Sequence, residues 1–123
     1  TPQELVAHQW VASPREGRLL RLDLLGADGA RQAVEAPARV TSNNQLTLQQ
    51  MCAAGLGLAR LVHADVDDEL RASRLVPVLP GWRPAAMPVH AVTPQRDGRP
   101  AKVRHAIAAI ERHLRGVPGV QTG

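Results

Sequence analysis

The stretch TSNNQLTLQQMCAAGLGLARLV, residues 41–62, decides the fold because it contains a loop, a helix and a strand in succession. The short polar side chains from Thr41 to Asn44 favour turns and helix N-caps. Gly55 stands where a helix ends and a positive φ is wanted, and residues 56–62 are short and apolar enough for a strand in a covered sheet. Between them, apolar residues recur at the i, i+3, i+4, i+7 spacing of one buried helix face: Leu48, Met51, Cys52 and Gly55.

The segments before this unit predict a short helix, a strand and a hairpin. Pro2 and Glu4 suit the first turn of a helix, and Trp10 is interpreted as a core anchor in the strand that follows. Residues 19–25 alternate apolar and charged side chains with the period of a half-buried strand. Asp28 and Gly29 favour a hairpin turn, so the return strand is expected over residues 31–35.

The segments after the unit predict two helices and two strands. Asp65 is a plausible N-cap for a helix over residues 66–74, which has acids in its first turn and arginines in its last. The final helix carries an apolar stripe with helical spacing. The remaining predictions are a strand over 75–79, a loop over 80–84, a buried strand over 89–92 and the final helix over 101–115.

Composition narrows the class of protein. The chain has 123 residues, one cysteine and a net charge of +4, which favours one domain without an intrachain disulfide. No apolar run has the length of a membrane span and no signal segment opens the chain, so we expect a soluble cytoplasmic protein without membrane contact. Its arginines are spread through nearly every segment. Arginines scattered over a solvated surface therefore explain the positive charge better than a basic patch does. The alternative is a nucleic-acid site over Arg96 to Arg104.

No catalytic constellation is found, and we expect neither an enzyme nor a cofactor. The histidines lack the i, i+4 pairing of a helical zinc site, and the helix dipole accounts for the acids at 67–69 without a metal. Cys52 lies on an apolar helix face, which favours a packing thiol over a nucleophile. Gly55-Leu56-Gly57 follows a helix and precedes a strand, the reverse of a dinucleotide cradle.

A run of residues within the central unit resembles a known family. The string Asn43-Asn44, Leu48, then Cys52-Ala53-Ala54-Gly55-Leu56-Gly57-Leu58-Ala59 is similar to the effector-binding domain of LysR-type transcriptional regulators. The resemblance continues on both sides in the family's order. The further matching segments are Thr1–His8, Val66–Leu70, Arg74–Trp82, Met87–Pro94 and Pro100–Arg104.

This resemblance implies an α/β fold, a periplasmic-binding-protein-like (type 2) lobe with a mixed sheet flanked by helices and a C-terminal helix. By the family's pattern, residues 1–95 form the second lobe, 96–100 a crossing segment and 101–115 the helix that packs on the first lobe. Residues 116–123 are expected to be a disordered tail. The DNA-reading domain and most of the first lobe are not expected in this chain.

The resemblance also implies a ligand site and partners. The family's inducer contacts fall on Thr41, Ser42, Asn43 and Asn44, where helix N-terminal amides suit an anionic effector. His63 stands where the family often has proline, and a protonated imidazole there meets an anion.

The expected partners are a small effector, a second copy of the chain and, indirectly, DNA. We expect the final helix either to fold back on this lobe or to pack against a second copy through its apolar stripe, which consists of Val103, Ile107, Ile110 and Leu114. DNA contact is expected only through a helix-turn-helix domain outside this chain. The alternatives are a basic module that binds nucleic acid directly and a stand-alone small-molecule-binding domain.

Overall fold

The computed structural model describes residues 1–94 and 100–121. The chain divides into two compact units, Thr1–Ala85 and Ala86–Gly123. The first unit begins with a 3-10 helix over Pro2–Ala7 and has a second one over Pro14–Glu16. Its other elements are β1 (Trp10–Ala12), β2 (Leu19–Gly26), β3 (Arg31–Thr41), α1 (Gln45–Ala53), β4 (Leu58–Ala59), α2 (His63–Arg71) and β5 (Trp82–Pro84). The predicted mixed α/β fold is confirmed.

The described strands form one five-stranded sheet in the order β4-β1-β3-β2-β5. β1 pairs in parallel with β3 on one side and with β4 on the other. β2 pairs antiparallel with β3 and with β5. Since β3 extends to Thr41, well past the predicted end at residue 35, its first part pairs with β2 and its last four residues pair with β1. One strand thereby joins the antiparallel and parallel halves of the sheet.

The core lies on one face of the hairpin formed by β2 and β3. Leu20, Leu22 and Leu24 alternate along β2 with exposed or half-exposed residues, which confirms the period-two prediction. Trp10 joins them from β1 with 4% of its surface exposed, and its indole nitrogen donates to the Leu5 carbonyl at 2.9 Å. The predicted role of Trp10 as a core anchor is confirmed. The cluster of buried residues is completed by Leu5, Val34 and Ala36.

Residues 75–79 do not form the predicted strand. Pro77 has no N–H to donate to a ladder, and Leu79 has a φ of 55°, which an extended strand does not accommodate. The strand lies instead at residues 82–84, where a loop was predicted. Trp82 pairs with Gly26, and an ideal Cβ on that glycine would be 3.4 Å from the Trp82 ring. Pro84 is acceptable there because β5 is at the edge of the sheet.

Two predictions on the central stretch also need correction. The strand expected over residues 56–62 is only Leu58–Ala59. It is the outermost strand of the sheet, and its length is limited by pairing with the short β1 alone. The helix expected after Asp65 begins at His63, with Val62 as its N-cap. Asp65 is therefore in the first turn, and its amide donates to the Val62 carbonyl at 3.0 Å. Of the predicted apolar face of α1, Leu48 is buried, whereas Met51 and Cys52 are half-buried.

The second unit contains α3 (Ala101–Arg115), with the bounds predicted from sequence. None of the residues in its apolar stripe is buried. The strand expected over residues 89–92 is absent from the described part of this unit, and Val89 and Val92 are 80% and 91% exposed. Apolar composition there does not by itself supply a pairing partner. Turn hydrogen bonds continue beyond α3 to Val120. Residues 96–99 of the predicted crossing segment and residues 122–123 of the tail lie outside the described residues.

Candidate functional site

The three parallel strands bring three chain segments to one edge of the sheet. Because β4, β1 and β3 run in the same direction, the segments that follow them all begin at the carboxyl ends of these strands. This side of the sheet is called the carboxyl edge. β1 is followed by Ser13 to Glu16, β3 by the polar loop, and β4 by Arg60 to His63. In open α/β sheets the crevice outside the carboxyl ends of the strands is where ligands bind. This edge is the candidate site.

The loop from Thr41 to Asn44 is held by main-chain and side-chain hydrogen bonds. Thr41 is the last residue of β3 and pairs with Ala12. The Ser42 amide donates to the Ala12 carbonyl at 3.1 Å, which ties the loop to the end of β1. The Ser42 hydroxyl accepts from the Asn44 amide at 3.2 Å, and the Asn44 side-chain oxygen accepts from the Thr47 amide at 3.1 Å. Asn44 is therefore the N-cap of α1, which selects one residue of the polar stretch in which a cap was expected.

Asn43, unlike Ser42 and Asn44, does not hold the loop by a side-chain hydrogen bond. It is exposed, and within residues 1–94 and 100–121 its side chain has no hydrogen-bond partner. An exposed amide carries donors and an acceptor that remain available to a ligand. The predicted site residues thus divide into Ser42 and Asn44, which build the loop, and Asn43, which is free to bind.

His63 lies on the same edge but belongs to the next segment. It is the first residue of α2, with 54% of its side chain exposed, and its Nε2 is 3.5 Å from Oδ1 of Asp67. The other carboxylate oxygen of Asp67 is 2.9 Å from the Arg71 guanidinium. β1 separates β3 from β4, so the two strands that lead to the polar loop and to His63 are two strand spacings, about 10 Å, apart.

An ion pair joins the segment that follows β1 to the segment that follows β4. Oε1 of Glu16 pairs with the Arg60 guanidinium, and Oε2 accepts from the Ser13 amide at 2.9 Å. Arg60 immediately follows β4, and 44% of its side chain is exposed. Sequence reasoning missed both residues, because they are 44 positions apart and only the parallel pairing of β1 with β4 makes their loops neighbours.

Cys52 behaves as a packing thiol. Its Sγ donates to the Gly57 carbonyl at 3.2 Å, and the side chain is half-buried. Burial raises the pKa of the Cys52 thiol, while a hydrogen bond with the Ala59 backbone acts in the opposite direction. A raised pKa leaves less thiolate, the form that attacks electrophiles. The interpretation of Cys52 as a structural residue is supported.

Neither a metal centre nor a membrane span occurs in the described ranges. No group of three or more His, Cys, Asp or Glu side chains there is arranged to hold a metal ion. No helix in these ranges is both long and apolar enough to cross a bilayer. Several arginines pair with carboxylates, which leaves less free positive charge than the composition suggests: Arg21, Arg60, Arg71, Arg74 and Arg115.

Replacing Asn44 with alanine is expected to lower the free energy of unfolding by about 1 kcal/mol, because the Thr47 amide loses its cap. Asn44→Asp keeps an acceptor at that position and should cost less. Urea unfolding followed by circular dichroism measures both variants. Equal losses for the two substitutions would contradict the capping role of Asn44.

Known proteins match this chain over most of its length. A family model described as the LysR substrate binding domain matches residues 1–115. The HTH-type transcriptional regulator PtxR of Pseudomonas aeruginosa is 32% identical over 84 residues, which cover 68% of this chain and 27% of PtxR. The HTH-type transcriptional activator AaeR of Escherichia coli is 26% identical over 110 residues, which cover 89% of this chain and 35% of AaeR. The chain thus spans roughly a third or less of these curated relatives.

Solved structures show the same fold. The regulatory domain of AphB from Vibrio vulnificus superposes with a TM-score of 0.62 at 20% identity, covering 89% of this chain and 54% of that one. The same domain treated with cumene hydroperoxide gives a TM-score of 0.62 at 21% identity, with 89% and 53% covered. At these identities the likeness concerns the fold.

Proposed function

The chain belongs to the LysR substrate-binding domain family, and from that premise we propose that it binds a small effector molecule at the carboxyl edge of β4, β1 and β3. The observation that carries the proposal is that the three segments that follow β4, β1 and β3 meet at one edge of a parallel sheet and carry polar or charged side chains there. Such an edge is the usual ligand position in α/β sheets. The effector contacts are assigned to Thr41, Ser42, Asn43, Asn44 and His63.

The polar groups at this edge suit a compact ligand with hydrogen-bonding groups. Asn43 offers a free side-chain amide. The first main-chain amides of α1 have no partners within the helix, and one of them, that of Thr47, already donates to the Asn44 side chain. His63 adds an exposed imidazole beyond the end of β4, the strand that lies two spacings, about 10 Å, from β3 and its loop. A ligand that contacts both the polar loop and His63 must therefore span about two strand spacings.

The relatives support a role in transcription. PtxR and AaeR are transcriptional regulators of the HTH type. We infer that effector binding at this edge controls transcription, that DNA contact is made through a helix-turn-helix domain, and that the described residues perform no catalysis. Self-association through the apolar stripe of α3 belongs to the same proposal, supported by the absence of buried residues along that helix.

Replacing Asn43 with alanine is expected to weaken effector binding about tenfold while leaving thermal stability unchanged, because this side chain supports no part of the fold. An effector is first identified by screening small molecules for a rise in the unfolding temperature of the wild-type protein, since a ligand that binds only the folded state stabilises it. Calorimetric titration of that effector into wild type and the Asn43→Ala variant then compares the affinities.

The matched control is Gln50→Ala. Gln50 is an exposed amide near the other end of α1, so the substitution removes the same chemical group away from the site. Its affinity should equal that of wild type. Equal affinities for Asn43→Ala and wild type would contradict the placement of the effector at the polar loop.

A further inference from the structure

We propose that Arg60 is the residue that selects a carboxylate-bearing effector, and that Glu16 occupies Arg60 when the site is empty. The inference rests on the proposed function, because it concerns the same edge of the sheet. It goes beyond it by naming the charged group of the ligand and the residue that recognises it. The observation behind it is the ion pair between Glu16 and Arg60, which joins the segments that follow β1 and β4.

The position of Arg60 places a guanidinium between the two parts of the candidate site. Arg60 lies at the end of β4 and three residues before His63. Its partner Glu16 belongs to the segment that follows β1, the strand between β4 and β3. The neighbouring polar loop is tied to that same strand by the Ser42 amide. The Arg60 side chain therefore reaches from the segment that leads to His63 toward the segment next to the loop, within the part of the edge that a ligand contacting both would cover.

The Glu16 carboxylate is bound as a ligand carboxylate would be. One oxygen meets the guanidinium of Arg60 and the other accepts from a main-chain amide, that of Ser13. Guanidinium groups and main-chain amides are the donors that recognise carboxylates in binding sites. Glu16 is 18% exposed at its side chain, whereas Arg60 is 44% exposed. The open side of the pair is thus the arginine.

Exchange of one carboxylate for another at Arg60 costs little. An ion pair with a partner this exposed contributes less than about fivefold to an equilibrium constant. After the exchange Glu16 keeps its hydrogen bond from the Ser13 amide. The incoming carboxylate gains the guanidinium, and any hydrogen bonds made by the rest of the ligand add to the affinity.

The test compares small carboxylic acids with their primary amides. The probes are acetate, succinate and benzoate, each titrated alongside its amide into the intact protein and followed by two-dimensional NMR. We expect the acids to bind about three- to fivefold more tightly than the amides, the range for an ion pair with a guanidinium this exposed. Arg60→Gln should abolish this preference, and Glu16→Gln should strengthen acid binding by about threefold because Arg60 loses its internal competitor.

The double variant decides whether the two residues act on one another. Glu16→Gln should have no effect on acid affinity once Arg60 is glutamine, since the competitor matters only when the guanidinium is present. Arg74, which follows α2, and Glu69 in its last turns form a similar ion pair, at 2.6 and 2.9 Å. Arg74→Gln is therefore the matched control and should preserve the preference for acids. Unfolding curves of all variants exclude a change of fold.

The outcomes separate the two proposals. If acids and amides bind equally, or if Arg60→Gln keeps the preference for acids, the role of Arg60 is wrong while an effector site at this edge stands. Additive effects of the two substitutions would also contradict the exchange between Glu16 and the ligand. If neither class of probe shifts any resonance at the edge, the proposed effector site and the inference both fail.

Discussion

Replacing Trp10 with alanine is expected to lower the free energy of unfolding by about 3–5 kcal/mol, the range for removing a large buried aromatic side chain. Trp10 is 4% exposed and packs in the cluster that contains Leu20, Leu22 and Ala36. Its loss would leave a cavity where the first 3-10 helix, β1 and the β2–β3 hairpin meet. A protein of this size has a total stability of roughly 5–15 kcal/mol, so this loss is a large fraction of it.

Urea unfolding monitored by far-ultraviolet circular dichroism measures this effect. Trp10→Phe is the informative partner, since it keeps most of the apolar volume and removes the hydrogen bond from the indole to the Leu5 carbonyl. That carbonyl still accepts from the His8 amide, so the cost of the second variant should be about 1–2 kcal/mol. A loss below about 1 kcal/mol for Trp10→Ala would show that this tryptophan is not the anchor of the core.

The second large effect is expected at Gly57, where alanine should destabilise the fold by about 3 kcal/mol or more. Gly57 has a φ of +149°, and a Cβ built there would be 2.8 Å from the Gln9 carbonyl carbon and still closer to its oxygen. These are backbone atoms, which cannot rotate away. The same Gln9 oxygen accepts the Leu58 amide at 2.8 Å, so separating the chains would break the hydrogen bond with which β4 begins.

Gly55→Ala provides the comparison. Gly55 also has a positive φ, +84°, but nothing lies within 4 Å of the position that a Cβ would take there. Only the conformational cost remains, about 1–2 kcal/mol. Chemical denaturation of both variants gives the difference. If the two substitutions cost the same, close packing of Gly57 on Gln9 does not contribute. Because β4 leads directly to Arg60 and His63, Gly57→Ala should also weaken effector binding.

Local patterns predicted the elements whose causes are local. The bounds of α3 follow from Pro100 before it and Gly116 after it. The hairpin follows from alternation along β2 and the turn at Asp28 and Gly29. The N-cap at Asn44 follows from its side chain and its place before an apolar helix.

The incorrect predictions concern elements whose structure depends on residues far away in the sequence. Residues 75–79 and 82–84 both contain apolar side chains, yet only the latter pair with β2, because Pro77 and the positive φ of Leu79 prevent the former from forming a ladder. β4 is short because β1, only three residues long, is its partner. The site has the same character: the polar loop is visible in the sequence, whereas Glu16 and Arg60 become neighbours only through the sheet. The family resemblance predicted the fold, whereas the charged residues of the site could be found only from the order of the strands in the sheet.

The polar loop is already ordered before any ligand arrives. Ser42 is bonded to β1, Asn44 is bonded to Ser42 and Thr47, and Thr41 belongs to a strand. Fixing the backbone of a free residue costs roughly 1–2 kcal/mol in conformational entropy, and most of this loop has met that cost during folding. Effector binding therefore loses little entropy on the protein side, so a small molecule with few contacts is sufficient to occupy the site.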